Sequence, residues 1–167
     1  MNTYQAYSNN SRNFTLLLND KELGELQYLN WFSFKAKIIL ANQDTYELIP
    51  KGFFDASIEL KKDEEVVMTF KMVWKGIAIK VFKGGQEYKY LLKHNTRELG
   101  YNYTLLNEDN TQIAHIKSKF EWKKFKYNYK IEQQENLPSS IDAALFNLTL
   151  LHAINYYTQV ILAAAGA

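Results

Sequence analysis

A chain of 167 residues with 47% apolar side chains and only two prolines suits one packed domain and argues against disorder. The absence of cysteine excludes disulfides, thiolate metal sites and a cysteine nucleophile. A net charge of +2 creates no global demand for nucleic acid or an acidic partner, so any electrostatic footprint must be local.

The first twelve residues are polar, with Asn2, Gln5, Asn9 and Asn10, and lack the basic and apolar stretches of a secretory signal. Cytoplasmic residence is the expectation. Residues 4–7 already alternate as a strand would. From Asn13 to Ile131, short alternating runs recur between turn residues. Strands are expected over residues 14–18, 23–28, 34–40, 45–49, 56–61, 66–73, 77–83, 88–92, 101–106, 112–122 and 125–131. The breaks between them fall at Asn19-Asp20-Lys21, Asn42-Gln43-Asp44, Lys62-Asp63-Glu64, Gly84-Gly85, His94-Asn95-Thr96 and Asn107-Glu108-Asp109-Asn110. Such residues tolerate positive φ or bond their own backbone. Ile58 and Leu60 alternate with Ser57, Glu59 and Lys61, and Val66, Met68, Phe70, Met72 and Trp74 form one apolar face. That period of two describes antiparallel strands covered on one side and wet on the other.

The last 27 residues, 141–167, contain no Lys, Arg or Glu and a single Asp. A helix is expected over residues 139–165, with Pro138 ending the preceding segment, Ser139 as N-cap and Asp142 completing a capping box. On a helical projection Leu145, Phe146, Leu150, Leu151, Ile154, Tyr157, Val160 and Ile161 leave no wide polar face, so lipid or protein must enclose it. Against a bilayer stand Asn147, His152, Asn155 and Gln159, whose cost cancels most of the gain from the apolar residues. For the strands, closing the sheet removes two unpaired edges. A barrel of more than about eight strands leaves a lumen, and a helix about 37 Å long and 10–12 Å wide fills it. The expected fold is all-β with one helix. A closed antiparallel barrel of about twelve strands (residues 13–131) surrounds a buried C-terminal helix in a single domain spanning residues 1–167.

This arrangement resembles the tubby C-terminal, LURP-one and phospholipid scramblase superfamily over nearly the whole chain. The most similar stretch is Ser139-Ser140-Ile141-Asp142-Ala143-Ala144-Leu145-Phe146, continuing through Leu150-Leu151-His152-Ala153-Ile154-Asn155-Tyr156-Tyr157. It looks like that family's acidic residue leading into its buried terminal helix. The likeness is one of architecture and hydrophobic pattern, not of an invariant motif. Tubby domains bind phosphoinositide head groups, scramblases are associated with lipid movement, and many bacterial members have no known role. The resemblance therefore implies contact with anionic phospholipid and a peripheral place at a membrane. The chain departs from that family's pattern in having no cysteine cluster for palmitoylation, no proline-rich N-terminal segment and no acidic loop resembling a calcium site. No residue role is carried over.

The densest charge feature runs from Lys117 to Lys130, where Lys117, Lys119, Lys123, Lys124, Lys126 and Lys130 interleave with aromatics. Lys117, Lys119 and Lys123 share one parity opposite Phe120 and Trp122; the parity then flips, so that Lys124, Lys126 and Lys130 oppose Phe125, Tyr127 and Tyr129. One extra residue at Lys123-Lys124, a bulge or a tight turn between two strands, keeps the aromatics inside and the lysines outside. The face is either plain solvated surface or a site for anionic head groups. On the helix His152, Asn155 and Gln159 fall on one stripe, either as a hydrogen-bonded polar cluster or as the lining of an interior pocket.

No metal-ligand spacing, phosphate-binding Gly-rich loop or nucleophile elbow occurs, so no catalytic residue, metal or cofactor is assigned. The expected function is a non-enzymatic binding or scaffold domain that meets anionic phospholipid through the Lys117–Lys130 face. The alternatives are a carrier of a small apolar ligand beside His152, Asn155 and Gln159, and an enzyme whose site is assembled from distant strands. No nucleic acid is expected, and no protein partner is specified.

Overall fold

The computed structural model describes residues 1–10, 13–30, 34–51, 57–95, 102–121, 126–134 and 137–165. Among these, β1 (Asn2–Asn10), β2 (Asn13–Leu18), β3 (Lys21–Asn30), β4 (Lys35–Leu40), β5 (Thr45–Lys51) and β6 (Ser57–Lys62) form the first half of a meander. The second half is β7 (Glu65–Val73), β8 (Gly76–Lys83), β9 (Gln86–His94), β10 (Asn102–Asn107), β11 (Gln112–Glu121) and β12 (Lys126–Gln133). Each strand pairs antiparallel with its sequence neighbours, and β1 closes the barrel against β12, with Tyr4 opposite Ile131 and Ala6 opposite Tyr129. The expected barrel is therefore what forms.

The period of two explains which residues face inward. Ala36, Ile38 and Leu40 of β4, Ile58 and Leu60 of β6, and Met68 and Phe70 of β7 are buried, while their neighbours in sequence are not. The alternation ends sooner than the sequence pattern implied. Val73 pairs with Gly76, which puts Trp74 in a two-residue turn, fully exposed, and not on the interior face with Phe70. A parity count carries no information about where the chain reverses, and this one ran past the reversal.

A meander sends alternate connections to opposite ends. One end holds the β2–β3, β4–β5, β6–β7, β8–β9 and β10–β11 turns, and its chemistry is clear. Asn19 and Asp20 both have positive φ, as do Gly84 and Gly85, giving two-residue hairpins whose twist matches the strands. Gln43, Asp63 and Asn110 take the same left-handed region in the remaining three turns.

The helix α1 (Ala143–Ala165) enters at that end. Its start corrects the expected cap. Asp142, not Ser139, is the N-cap: the Leu145 N–H donates to Asp142 Oδ1 at 2.9 Å, and the Phe146 N–H donates to the Asp142 carbonyl at 3.0 Å. Ile141 N–H instead closes a turn onto the Pro138 carbonyl at 2.9 Å, so residues 138–141 approach the helix without belonging to it.

From Leu145 to Asn155 every residue of α1 is buried. The enclosing contacts come from around the barrel: Gly24 and Tyr28 on β3, Phe70 on β7, Tyr90 on β9, Tyr103 on β10, and Tyr129 and Gln133 on β12. At Gly24 a Cβ would lie 2.7 Å from the Ile39 carbonyl oxygen of β4, which requires glycine there, and 3.2 Å from Leu148 Cδ1, where the helix packs close against the wall. With 23 residues the helix is about 34 Å long. A tilted strand of about nine residues gives a wall only about 23 Å high. The surplus emerges at the far end, where Tyr156 to Val160 are half-buried. Among the described residues no helix is long and apolar enough to cross a membrane.

Candidate functional site

Two groups of residues singled out by the sequence take positions in this frame, one inside the barrel and one on its wall.

Inside, α1 places His152 and Asn155 about one turn apart facing β3, with Tyr28 between them. The Asn155 amide donates to the Tyr28 hydroxyl at 3.2 Å, and its Oδ1 accepts from the Tyr129 hydroxyl at 2.9 Å. One side chain thus ties the helix to two walls of the barrel. The His152 ring stacks on Tyr28 (centroids 5.2 Å apart, planes at 24°) and meets Phe70 edge-on at 5.7 Å. Burial pushes its pKa down to about 3 and pushes the Tyr28 phenol well above its usual range, so both stay neutral near pH 7. Neither ring nitrogen of His152 has a hydrogen-bond partner among the described residues. Gln159 is not brought into this cluster; it lies further along α1 in the half-buried stretch where the helix leaves the barrel.

The sequence stripe missed three further ties. Asn147 donates to Gln133 Oε1 at 2.9 Å, Thr149 bonds back to the Leu145 carbonyl at 2.8 Å, and the Tyr103 and Thr158 hydroxyls meet at 3.1 Å. Inward parity could have flagged Gln133 and Tyr103; the partner of each is set only by the depth of the helix.

On the outer wall, β1, β11 and β12 run side by side and carry an open groove of about 430 Å³ lined by Gln5, Tyr7, Lys117, Lys119, Asn128 and Lys130. Register explains the assembly: Lys117 lies opposite Lys130, Lys119 opposite Asn128, Gln5 opposite Lys130 and Tyr7 opposite Asn128. Lys117, Lys119 and Lys130 are exposed, and Ile116, Tyr129 and Ile131 are buried, so the parity argument holds where it can be followed. The flip arises because β11 and β12 are separate neighbouring strands, with Glu121 opposite Lys126. Lys123 and Lys124 lie outside the described residues, as does the side chain of Lys126.

Two like charges directly across a strand pair repel. Glu132 offsets this for Lys117 and Lys130, accepting from Lys130 at 2.7 Å and from Lys117 at 3.3 Å. The Lys130 hydrogen bond, with a smaller share from Lys117, holds the Glu132 carboxyl below its usual range. Parity places Glu132 on the same face as Lys130, two residues away on β12; only the Lys117 half of the clamp depends on cross-strand register. Lys119 has no ion-pair partner among the described residues. The Tyr7 hydroxyl already donates to Gln5 Oε1, so the groove offers one uncommitted ammonium, two partly neutralised ones and the Gln5 amide N–H. That set can hold an anionic oxygen at an exposed surface.

A second pocket of about 330 Å³ sits at the mouth where α1 enters, between Tyr46, Lys62, Val67, Met68, Val81 and Leu145. Two lysines and three carboxylates also line it: Lys62 bonds Asp44 at 2.8 Å and lies 5.5 Å over the Tyr46 ring, and Lys83 shares the mouth with Asp63, Glu65 and Asp142. Among the described residues no group of three or more His, Cys, Asp or Glu side chains is placed to hold a metal ion. Comparison of the chain with models of known protein families, with curated proteins and with solved structures finds no match.

Proposed function

We propose that this protein is a non-enzymatic binding domain for anionic phospholipid head groups, acting at the cytoplasmic face of a membrane as a divergent relative of the tubby and LURP-one barrels. The observation that carries the reading is the groove of β1, β11 and β12, where Lys117, Lys119 and Lys130 line one open surface with Gln5, Tyr7 and Asn128. The barrel closed around its C-terminal helix supports the kinship. The carrier reading has less behind it, because Asn155 is engaged by Tyr28 and Tyr129, and His152 lies between Tyr28 and Phe70.

Pelleting with vesicles that contain acidic lipid tests this. Binding should fall steeply with salt, as the screening length drops from about 10 Å at 0.1 M to about 3 Å at 1 M. The Lys117→Ser, Lys119→Ser, Lys130→Ser triple variant should bind markedly less while melting as the parent does. Unchanged binding by a folded triple variant would sink the proposal.

A further inference from the structure

The charge on this molecule is sorted by the meander. The five turns at the end where α1 enters hold Asp20, Asp44, Asp63, Glu64, Glu108 and Asp109 and no Lys or Arg; the three strand positions beside them add Glu22, Glu47, Glu65, Glu87 and Glu132 against Lys21, Lys61, Lys62 and Lys83. At the opposite end, where α1 leaves, the exposed cations include Lys35, Lys51, Lys71, Lys75 and Lys119. The last three positions of every strand at that end contain only two carboxylates, Glu59 and Glu121. Glu59 is paired with Lys51 at 3.1 Å and with Lys61 at 3.5 Å. Among the described residues, carboxylates thus gather at one end of the barrel and lysines at the other.

Among the described residues the exposed large apolar side chains, apart from Met1 at the entry end, lie towards the basic end. Trp74 stands fully exposed in the β7–β8 turn between Val73 and Lys75, and Leu29 is exposed near the end of β3. Here the half-buried Tyr156 and Tyr157 mark the emerging helix, whose backbone continues to Ala165 through a sequence without charge. Cations around exposed Trp and aliphatic side chains suit the boundary between head groups and acyl chains, where an indole is at home and lysines meet acidic lipid. Nucleic acid would answer the lysines but has no use for Val73 and Leu29.

We propose that the protein docks end-on against an anionic bilayer, with the helix-exit end facing the lipid, Trp74 entering the interface and the acidic end turned away. This rests on the head-group reading above and adds its orientation; the groove reaches the same end through Tyr7, Lys119 and Asn128. The absence of native cysteine permits a direct test. Val73→Cys and Asp109→Cys, at opposite ends, are each labelled with an environment-sensitive fluorophore. Both are then mixed with phosphatidylcholine vesicles with and without phosphatidylserine, and with lipids bearing a quencher.

The expected result is a blue shift and quenching at position 73 only with the acidic vesicles, and silence at position 109. Trp74→Ser should weaken pelleting, and Lys71→Ser with Lys75→Ser should weaken it roughly thirtyfold. Pelleting with both labels silent would overturn the end-on orientation and leave the groove as a side-on site. No pelleting at any salt would overturn the head-group reading and this one with it. A label at position 73 that responds to protein concentration alone, with a matching rise in sedimenting mass, would assign the surface to the acidic end of a second copy and overturn the lipid.

Discussion

Asn155 and His152 show how differently two polar side chains can fare in one interior. Asn155 meets a hydroxyl with each end of its amide, so its burial is compensated. His152 gains ring stacking and no hydrogen bond among the described residues. Its pKa near 3, against 6.5 for an unburied imidazole, gives folding a pH dependence whose sign follows from linkage. Below pH 6.5 the unfolded chain takes up a proton that the folded one refuses, so the neutral ring's contribution is complete above 6.5 and is lost as pH falls towards 3. The slope through that window is roughly 1.4 kcal/mol per pH unit. Denaturant titrations at several pH values should show it, and His152→Phe, which keeps the stacking and removes the titrating group, should flatten it. A parent protein equally stable at pH 4 and pH 7 would refute the assignment. The polar stripe was legible from helical spacing alone. Its partners were not, because Tyr28 lies 127 residues from Asn155 and Tyr129 lies 26 residues away. Which phenol meets which amide depends on how deep the rod slides into the can.

At the scale of elements, strands were easier to read than their ends. The alternating runs in Ser57–Lys62 and Lys35–Leu40 carried over directly, because one face is buried and the other wet. The helix start was displaced from Ser139 to Asp142, since both residues are good caps and spacing cannot choose between them. What chooses is the Pro138–Ile141 turn, which uses the backbone that a helix beginning at Ser139 would need. The two assignments make opposite predictions. Asp142→Ala should lower stability by about 1 kcal/mol, and Ser139→Ala should leave the melting temperature where it was. Equal losses in the two variants would restore the earlier cap.

At the scale of the whole molecule, closure was legible and polarity was overlooked. Eleven or more half-wet strands with no helical crossovers leave few alternatives to a barrel, and an all-round apolar rod leaves few alternatives to filling it. The separation of acidic from basic ends was present in the sequence too, in the composition of every second turn, but a net charge of +2 is a sum that conceals it. The outer groove stood between these cases: outward lysines and the Lys130–Glu132 pair followed from parity, while the Lys117–Glu132 contact required cross-strand register. The mutual dependence of can and plug yields the last prediction. Leu145, Phe146, Leu148, Leu150, Leu151 and Ile154 are all buried by the barrel, and each such side chain contributes about 1.5–3 kcal/mol. Together they reach roughly 9–18 kcal/mol, as large as the whole stability of an ordinary domain at about 5–15 kcal/mol. A chain ending at residue 137 should therefore not fold to an empty barrel, because Phe70, Tyr90 and Tyr103 would line a lumen of water. Circular dichroism should lose its near-ultraviolet aromatic bands, and a dye that binds exposed apolar surface should light up. A truncated chain that kept a cooperative melt and its aromatic signal would show that the sheet closes without its core, and that the helix is a passenger in the fold.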